Sequence, residues 1–321
     1  MREYAFELAL CGELESEERL LARQLGAHVQ GRRIVDVVTV EPGPAFERRA
    51  SITDGTIPPV AIEAPVGPGS ARRIKEVFPN RRPEERQRIV ERAVKADFFE
   101  RERCDGDPAV RQVCRYPDAW FDRLVGIENK PDLDRPGDLQ AQLRTDVSLG
   151  IFDEVVLATA SHVTGAHRNR IPEEVGIWQF DSRTGDREVL REPEPLDPAT
   201  AGVEILDRQP GRSDIAIVTA DQKRRVRRRI AERAYGKGWR TFELPACGQC
   251  APEGGPDVAV PYCQWAGRIV DPASECGTDC AGHEPADPPE IDHVARRAER
   301  SAWRRDPEGQ RRRQAGLDHF G

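Results

Sequence analysis

Short apolar runs, each about the length of one strand, limit most strongly what this chain can fold into. The runs RRIVDVVTVEP, DEVVLATAS and EVGIWQF cover residues 32–42, 153–161 and 174–180. Runs of this length and composition are typical of buried strands. Segments with apolar side chains at helical spacing occur at 3–25, 83–100 and 137–149. The sequence therefore predicts a mixed α/β fold built around a mixed sheet.

The region after the first strand is expected to be an insertion. Residues 42–70 are rich in Pro and Gly and predict a loop, with a possible strand at PVAIEA. Two helices are expected near 71–78 and 83–100, and Pro83 suits the first turn of the second helix. We divide the chain into an α/β core at 1–218 with an insertion at about 42–105, a basic helix and strand at 219–244, a cysteine-rich module at 245–285 and an Arg-rich tail at 286–321.

Composition argues against a membrane protein. No window approaches the roughly 18 consecutive apolar residues of a membrane helix, and the start MREYAFELALCGELESEER is acidic, unlike a signal peptide. We therefore expect a cytoplasmic protein with no membrane partner. The net charge is −7, with 44 Arg and only 5 Lys among 321 residues. This balance resembles that of proteins from salt-loving archaea, and the whole chain resembles an uncharacterised family of halophilic archaea.

One of the scarce lysines, Lys130, ends the run LVGIENK, which follows RYPDAWF after only Asp122 and Arg123. Two strand-like runs at this separation predict a β-hairpin. Alternate side chains of a strand share a face, so Glu128 and Lys130 point the same way. The hairpin would bring Asp118 within one residue of Glu128. Two carboxylates this close repel each other unless a cation lies between them, and Mg²⁺ takes such oxygen ligands.

The order Pro117-Asp118, nine residues, then Glu128-Asn129-Lys130 resembles the signature of the PD-(D/E)xK nuclease superfamily, in its RecB-like branch. The resemblance implies a restriction-endonuclease-like αβββαβ core. It also implies Mg²⁺ or Mn²⁺ held by Asp118 and Glu128, with Lys130 positioning the attacking water. Asp122 is a rival for the role of Asp118, although a turn position suits Asp122 better.

The segment DLQAQLRTDVSLGIFDEVVLATAS extends the resemblance, because RecB-like members follow the ExK strand with a helix that presents a glutamine and then with another strand. Gln142 or Gln140 could take that role. The family also often has a glutamate on its first helix, for which Glu7 is a weaker candidate. The resemblance thus implies a metal-dependent nuclease that hydrolyses phosphodiester bonds, in DNA more than in RNA.

A cysteine cluster marks the C-terminal region, and in a chain without a signal peptide such clustering indicates metal rather than disulfides. A Cys-x2-Cys pair followed by a second pair is typical of tetrahedral Zn²⁺ sites. The first choice of ligands is Cys247, Cys250, Cys276 and Cys280, with Cys263 and His283 as substitutes. The resemblance to RecB-like nucleases implies an alternative, a 4Fe-4S cluster held by Cys11 together with three of the C-terminal cysteines.

A basic segment, KRRVRRRIAERAYGKGWR, predicts a helix that contacts nucleic acid, because adjacent cations without interleaved acids repel unless they meet phosphate. Its candidate contacts are Lys223, Arg224, Arg225, Arg227, Arg228, Arg229 and Lys237. The sequence leaves two other functions open. One is a non-catalytic nucleic-acid-binding protein with a degenerate nuclease fold and a zinc module, and the other is a metal-stabilised scaffold for a protein partner.

Overall fold

The computed structural model describes residues 2–252 and 259–309 of the chain. The helices in this part are α1 Glu3–Leu14, α2 Phe46–Ala50, α3 Pro59–Ile62, α4 Ile74–Val77, α5 Pro83–Lys95, α6 Leu139–Leu149, α7 Gly165–Arg168, α8 Ala220–Lys237, α9 Pro272–Glu275 and α10 His293–Arg300. The strands are β1 Leu20–Gly26, β2 Ile34–Pro42, β3 Arg72–Arg73, β4 Phe99–Cys104, β5 Asp107–Gln112, β6 Phe121–Asn129, β7 Glu154–Thr159, β8 Gly176–Phe180, β9 Arg187–Arg191, β10 Gly202–Gln209, β11 Arg212–Val218, β12 Tyr262–Cys263 and β13 Arg268–Ile269.

A six-stranded sheet in the order β1-β2-β6-β7-β8-β9 forms the centre of the molecule. The pairs β6–β7 and β7–β8 are parallel, and the other three pairs are antiparallel. The protein is therefore mixed α/β with a mixed sheet, and the predicted fold class is confirmed at that level.

Helices cover both faces of this sheet. Successive strand residues point to opposite sides, and the strands carry apolar side chains on both. On one face Phe6 of α1 shares a buried apolar cluster with Val37 of β2. On the other face Leu143 of α6 and Ile230 of α8 belong to a second cluster with Val38. Two separate cores thus hold the sheet between α1 on one side and α6 with α8 on the other.

The predicted first helix at 3–25 is wrong in its second half. The helix α1 ends at Leu14, and Leu21 and Leu25 lie in β1. From Leu20 to Arg23 this strand is buried on both faces, so it lacks the apolar–polar alternation that distinguishes a strand in a sequence. The spacing of the two leucines fits a helix as well as a strand.

The predicted hairpin around Asp122 and Arg123 is also wrong. Both residues lie inside β6, which pairs with β2 on one side and β7 on the other, and residues 115–120 form no strand. The hairpins of this sheet join β1 to β2 and β8 to β9. The segment between β2 and β6 therefore runs from 43 to 120 and contains α2 to α5 with a small sheet β3-β5-β4. Within it, the possible strand at PVAIEA is α3.

Local predictions were correct for β2, β7, β8, α5 and α6, and the basic segment forms α8 as expected. Thr219 begins α8 with a capping box, in which its hydroxyl accepts from the amide of Gln222 and the Gln222 side chain accepts from the amide of Thr219. The expected Arg-rich tail is partly folded, because it contains α10 and its Trp303 is buried. Residues 310–321 of that tail lie outside the described residues.

Arg49 of α2 and Glu232 of α8 form an ion pair with no exposure to solvent. Two guanidinium nitrogens donate to the two carboxylate oxygens at 2.6 and 2.7 Å. The remaining donors reach the carbonyls of Thr53 at 3.0 Å and Gly55 at 2.7 Å. The hydroxyl of Tyr116 adds a 2.8 Å bond to Glu232. These bonds attach both ends of the insertion to α8.

Within residues 2–252 and 259–309, no helix is long and apolar enough to cross a membrane.

Replacing Arg49 with Met should lower the free energy of unfolding by about 3–5 kcal/mol, because Glu232 then stays buried without its partner. Urea denaturation followed by circular dichroism measures this change. The matched control is Arg48→Met, an exposed arginine on the same helix, whose effect should stay within about 0.5 kcal/mol. Equal effects of the two substitutions would show that the buried pair does not stabilise the fold.

Candidate functional site

Two acidic side chains meet at one end of the central sheet. The pairing of β2 with β6 joins Val37 to Ile127, so the same antiparallel register places Asp36 opposite Glu128. Residues in such a pair have Cβ atoms about 5 Å apart on the same face. The amide of Asn129 also donates to Oδ2 of Asp36 at 3.0 Å. Asp36 is therefore the carboxylate that faces Glu128.

A third carboxylate, Glu7 of α1, approaches from the other side of the sheet. The side-chain amide of Gln24 bridges it to Asp36, because Nε2 lies 2.9 Å from Oε2 of Glu7 and 3.2 Å from Oδ1 of Asp36. Nδ2 of Asn129 donates to the same oxygen of Glu7 at 3.0 Å. Arg23 lies 2.6 Å from the other oxygen. Glu7, the weaker sequence candidate, thus belongs to the site.

Gln24, which links Glu7 to Asp36, has an unusual backbone. Its φ is +55°, although it lies within β1. This left-handed conformation is uncommon for a residue with a side chain and occurs often at functional sites. Here it interrupts the pairing of β1 opposite Asp36, since Arg23 and Leu25 pair with β2 but Gln24 does not.

Arg33, in the turn between β1 and β2, joins Glu128 to a fourth carboxylate, Asp146 of α6. Its guanidinium donates to Oε2 of Glu128 at 2.6 Å and to both oxygens of Asp146 at 2.7–3.2 Å. The turn is held in place by Glu204 of β10, whose carboxylate accepts from three successive backbone amides, those of Val29, Gln30 and Gly31, at 2.8–3.0 Å. Arg33 is thus positioned from outside the central sheet.

Lys130 lies at the mouth of this cluster, just beyond the end of β6. Its amide continues the ladder to β7 by donating to the carbonyl of Ala158 at 2.9 Å. Its ammonium forms an ion pair with Glu3, the exposed first residue of α1. That glutamate also lies close enough to Asp36 to raise its pKa. Lys130 therefore sits beside the acidic cluster, although it bonds to Glu3 rather than to Glu128.

Burial gives the cluster unusual electrostatics. The pKa values of Glu7, Asp36 and Asp146 are raised above their ordinary range, in each case mainly because burial disfavours the charged form. The pKa of Glu128 is raised to about 8 by burial and by the negative charge of Asp36, and Arg33 offsets this only in part. The four carboxyls outnumber the two guanidinium groups that contact them, those of Arg23 and Arg33. The site therefore has a deficit of positive charge.

The structure does not bring Asp118 to this site, which corrects the sequence prediction. Asp118 precedes β6, whereas Glu128 lies near its far end. At about 3.3 Å per residue the strand alone separates the two by more than about 20 Å. The side chain of Asp118 is 86% exposed and lies 3.6 Å from Arg228. The rival Asp122 is near the same wrong end of the strand.

Gln142 is half-buried on α6, one turn before Asp146, so the two side chains share a face of that helix. The other glutamine candidate, Gln140, is exposed.

Asp36 and Asp146 were missed from the sequence. Asp36 stands in a correctly predicted strand, but its partner β6 follows only after the insertion at 43–120. An acid inside an otherwise apolar strand was the signal that could have identified it.

Most cations of α8 contact carboxylates or carbonyls of the protein itself. Their mutual repulsion is therefore offset within the fold and does not require phosphate. Lys223 is only 1% exposed and donates to the carbonyl of Asp197, so its assignment to nucleic acid is wrong. The other inward contacts are Arg227 to Asp153, Arg228 to Glu63, Arg229 to the carbonyl of His28 and Lys237 to the carbonyl of Arg23. Of this set, Arg224 and Arg225 have the largely exposed side chains, at 70% and 64%.

The cysteine module lies on the α1 side of the molecule. A cleft of about 760 Å³ separates it from Tyr4 and Arg23, and its lining includes Cys263, Cys276 and His283. Cys11 is fully buried, and its strongest charged neighbours are Glu7, Arg23 and Glu15 rather than another cysteine. In the described part of the chain, no three His, Cys, Asp or Glu side chains stand close enough together to hold a metal ion as they are placed.

These features define a class: a mixed α/β protein with a buried acidic site at one end of its sheet and a separate cysteine module. The chain belongs to a family of unknown function (DUF5787), whose model matches residues 20–285. That range includes Asp36, Glu128, Lys130 and the cysteine module, and excludes α1 with Glu7. Neither the curated proteins nor the solved structures contain a match to the chain.

The raised pKa of Glu128 predicts that stability falls with rising pH. A carboxyl whose pKa rises from 4.5 when unfolded to about 8 when folded stabilises the fold in its protonated form, so this stabilisation is lost between those pH values. One such group contributes a slope of at most about 1.4 kcal/mol per pH unit. Urea denaturation of Glu128→Gln, in buffer without divalent cations, should show a shallower slope than wild type.

The matched control for that experiment is Glu84→Gln, an exposed acid on α5, which should keep the wild-type slope. If Glu128→Gln also kept it, Glu128 would not titrate in this window.

Proposed function

We propose that this protein is a metal-dependent nuclease that hydrolyses phosphodiester bonds, with Asp36, Glu128 and Lys130 at the centre of its active site. The observation that carries the proposal is the register of β2 and β6, which sets Asp36 opposite Glu128 on adjacent strands. Lys130 follows Glu128 by two residues, at the open end of the same strand.

The order of the core elements supports the proposal. With the insertion set aside, the chain runs α1, β1, β2, β6, α6, β7, which is the αβββαβ order of restriction-endonuclease-like nucleases. The three strands before α6 form an antiparallel meander, and β7 is parallel to β6. In this alignment the acid on the strand before the ExK strand is Asp36, preceded by Val35 instead of proline.

The donor set fits a hard divalent cation such as Mg²⁺ or Mn²⁺. Such ions take carboxylate and amide oxygens. Asp36 and Glu128 supply two carboxylates on one face of the sheet and Glu7 a third from the other side. Among the described residues no three such side chains stand at ligand spacing as placed, so the ion would draw them together and complete its shell with water. Oδ1 of Asn129 is buried and accepts no hydrogen bond among the described residues. A buried oxygen without a donor, near four carboxyls that share only two guanidinium groups, is what a cation would satisfy.

Each residue then has a definite task. The ion, held by Asp36 and Glu128 with support from Glu7, would lower the pKa of a bound water and stabilise charge on a phosphoryl oxygen. Lys130 holds a positive charge at the mouth, where it orients the water or contacts a phosphate oxygen. Arg33 has a second carboxylate, Asp146, and so keeps a partner when Glu128 binds the metal. Gln142 lies one turn from Asp146 and would assist from α6.

DNA is the favoured substrate. Arg224 and Arg225 are the most exposed of the α8 candidates, but Arg225 shares Glu63 with Arg228, which contacts Asp118, so they would contact DNA away from the acidic site. One observation favours a second function. Arg33 already contacts Glu128 at 2.6 Å, an arrangement expected of a degenerate site that binds nucleic acid without cleaving it. Cleavage assays separate these two functions.

Replacing Asp36 with Asn should lower Mg²⁺- or Mn²⁺-dependent cleavage by about a hundredfold or more, because the metal loses a charged ligand. Asp118→Asn is the control, since Asp118 lies at the far end of β6. Fluorescently labelled single- and double-stranded DNA should be tested over a range of salt concentrations, because contacts with phosphate weaken as salt rises. Loss of cleavage in Asp118→Asn, with Asp36→Asn active, would reverse the assignment.

Replacing Lys130 with Ala should abolish cleavage while leaving DNA affinity within a few-fold of wild type, because the lysine acts on the reacting groups. Filter binding in Ca²⁺ measures affinity without turnover, and the thermal midpoint checks folding. Binding without cleavage by the wild-type protein, in either metal, would establish the non-catalytic function instead.

A further inference from the structure

We propose that the C-terminal module binds one structural Zn²⁺ through Cys247, Cys250, Cys263 and Cys276, a ligand set that differs from the one the sequence favours. The structure places Cys263, rather than Cys280, beside the first pair. This inference is independent of the nuclease proposal, because it concerns a different set of residues and a different metal.

The first pair forms a tight turn, in which the amide of Cys250 donates to the carbonyl of Cys247 at 2.9 Å. An isolated antiparallel bridge then joins Cys250 to Cys263. Cys263 ends β12, and the short hairpin to β13 pairs it with Arg268. Backbone pairing thus brings Cys263 beside the Cys247–Cys250 turn, although it lies further along the chain.

Cys276 is held next to this hairpin by a salt bridge. Arg268 of β13 contacts Glu275, the residue before Cys276, at 2.6 Å. Cys276 lines the same cleft as Cys247 and Cys263, and Cys280 lines it too. Among the described residues, Cys263 has a backbone bridge to the Cys247–Cys250 turn and Cys280 has none. The four proposed ligands therefore share one locality, and Cys263 is the cysteine joined to the first pair.

Backbone amides already point at two of these sulfurs. The amide of Ala266 lies 3.4 Å from Sγ of Cys263, and the amide of Glu284 lies 3.5 Å from Sγ of Cys247. Amide donors of this kind orient metal-bound thiolates and stabilise their charge. The sulfurs do not yet stand at ligand spacing, so the bound metal would draw them together.

The module also needs such a stabilising centre. All five of its thiols are free rather than paired in disulfides. Its buried apolar side chains among the described residues are few and mostly small, namely Pro252, Ala259, Val260, Pro261, Ile269 and Val270. A segment with so little to bury is stabilised mainly by its metal. Since the same module forms one wall of the cleft that reaches Tyr4 and Arg23, the metal would also fix that wall.

The full-length protein, purified under reducing conditions, should contain one zinc per chain by elemental analysis. Cys263→Ser should lose most of that zinc, whereas Cys280→Ser and His283→Ala should retain it. Cobalt reconstitution should give the intense visible absorption of a tetrahedral all-thiolate site in wild type and Cys280→Ser. Zinc kept by Cys263→Ser and lost by Cys280→Ser would overturn the proposed set, and a brown protein with iron and sulfide would replace zinc with a cluster.

A second measurement needs no variant and so covers the case in which Cys263→Ser does not fold. Native protein is alkylated with N-ethylmaleimide before and after chelation of its metal, and labelled peptides are identified by mass spectrometry. The expected result is protection of Cys247, Cys250, Cys263 and Cys276 until chelation, with Cys280 labelled at once. Protection that does not change on chelation, or disulfides at these positions, would contradict the metal site.

Discussion

The buried ion pair of Arg49 and Glu232 is the contact on which the rest of the structure depends. It lies where the long insertion meets α8, and α8 in turn covers one face of the central sheet. A guanidinium or a carboxylate taken out of water is costly unless every donor and acceptor is matched. Here carbonyls of the insertion and the hydroxyl of Tyr116 complete the set, so the insertion is held as a fixed part of the core.

The acidic site at the end of the sheet has the opposite balance. Glu7, Asp36, Glu128 and Asp146 share two guanidinium groups, and an amide oxygen of Asn129 has no donor among the described residues. Both places are buried and both use arginine, but only one is fully compensated. An uncompensated set of oxygens at the open end of a strand pair, with a lysine at its mouth, is a reason to expect a ligand there rather than a structural role alone.

The sequence predicted individual strands and helices better than it predicted which strands pair. The strands β2, β7 and β8 were predicted because burial on both faces selects a short continuous apolar run, and the helix α6 because burial of one face imposes a helical period that neighbouring residues reveal. The partner of β6 was not, because β2 reaches it across the long insertion, and nothing local to Glu128 identifies Asp36. The hairpin around Asp122 satisfied the same local rules and was wrong. Lys223 shows a similar limit, since a charge count cannot tell a solvated lysine from one buried on a carbonyl.

The hydrogen bonds from the β1–β2 turn to Glu204 tie the position of that turn to the β10–β11 hairpin. The hairpin of β10 and β11 rests tightly on α6, where a side chain at Gly202 would lie 2.2 Å from the carbonyl of Leu149. In the same hairpin, Glu204 of β10 bonds to the turn that carries Arg33, and β11 exposes Ile215 and Ile217 at the surface. Ala216, which stands between these isoleucines, pairs with Glu204, so the exposed isoleucines and the glutamate that orders the Arg33 turn occupy neighbouring positions of one hairpin. The placement of Arg33 beside Glu128 therefore depends on a hairpin that lies outside the central sheet.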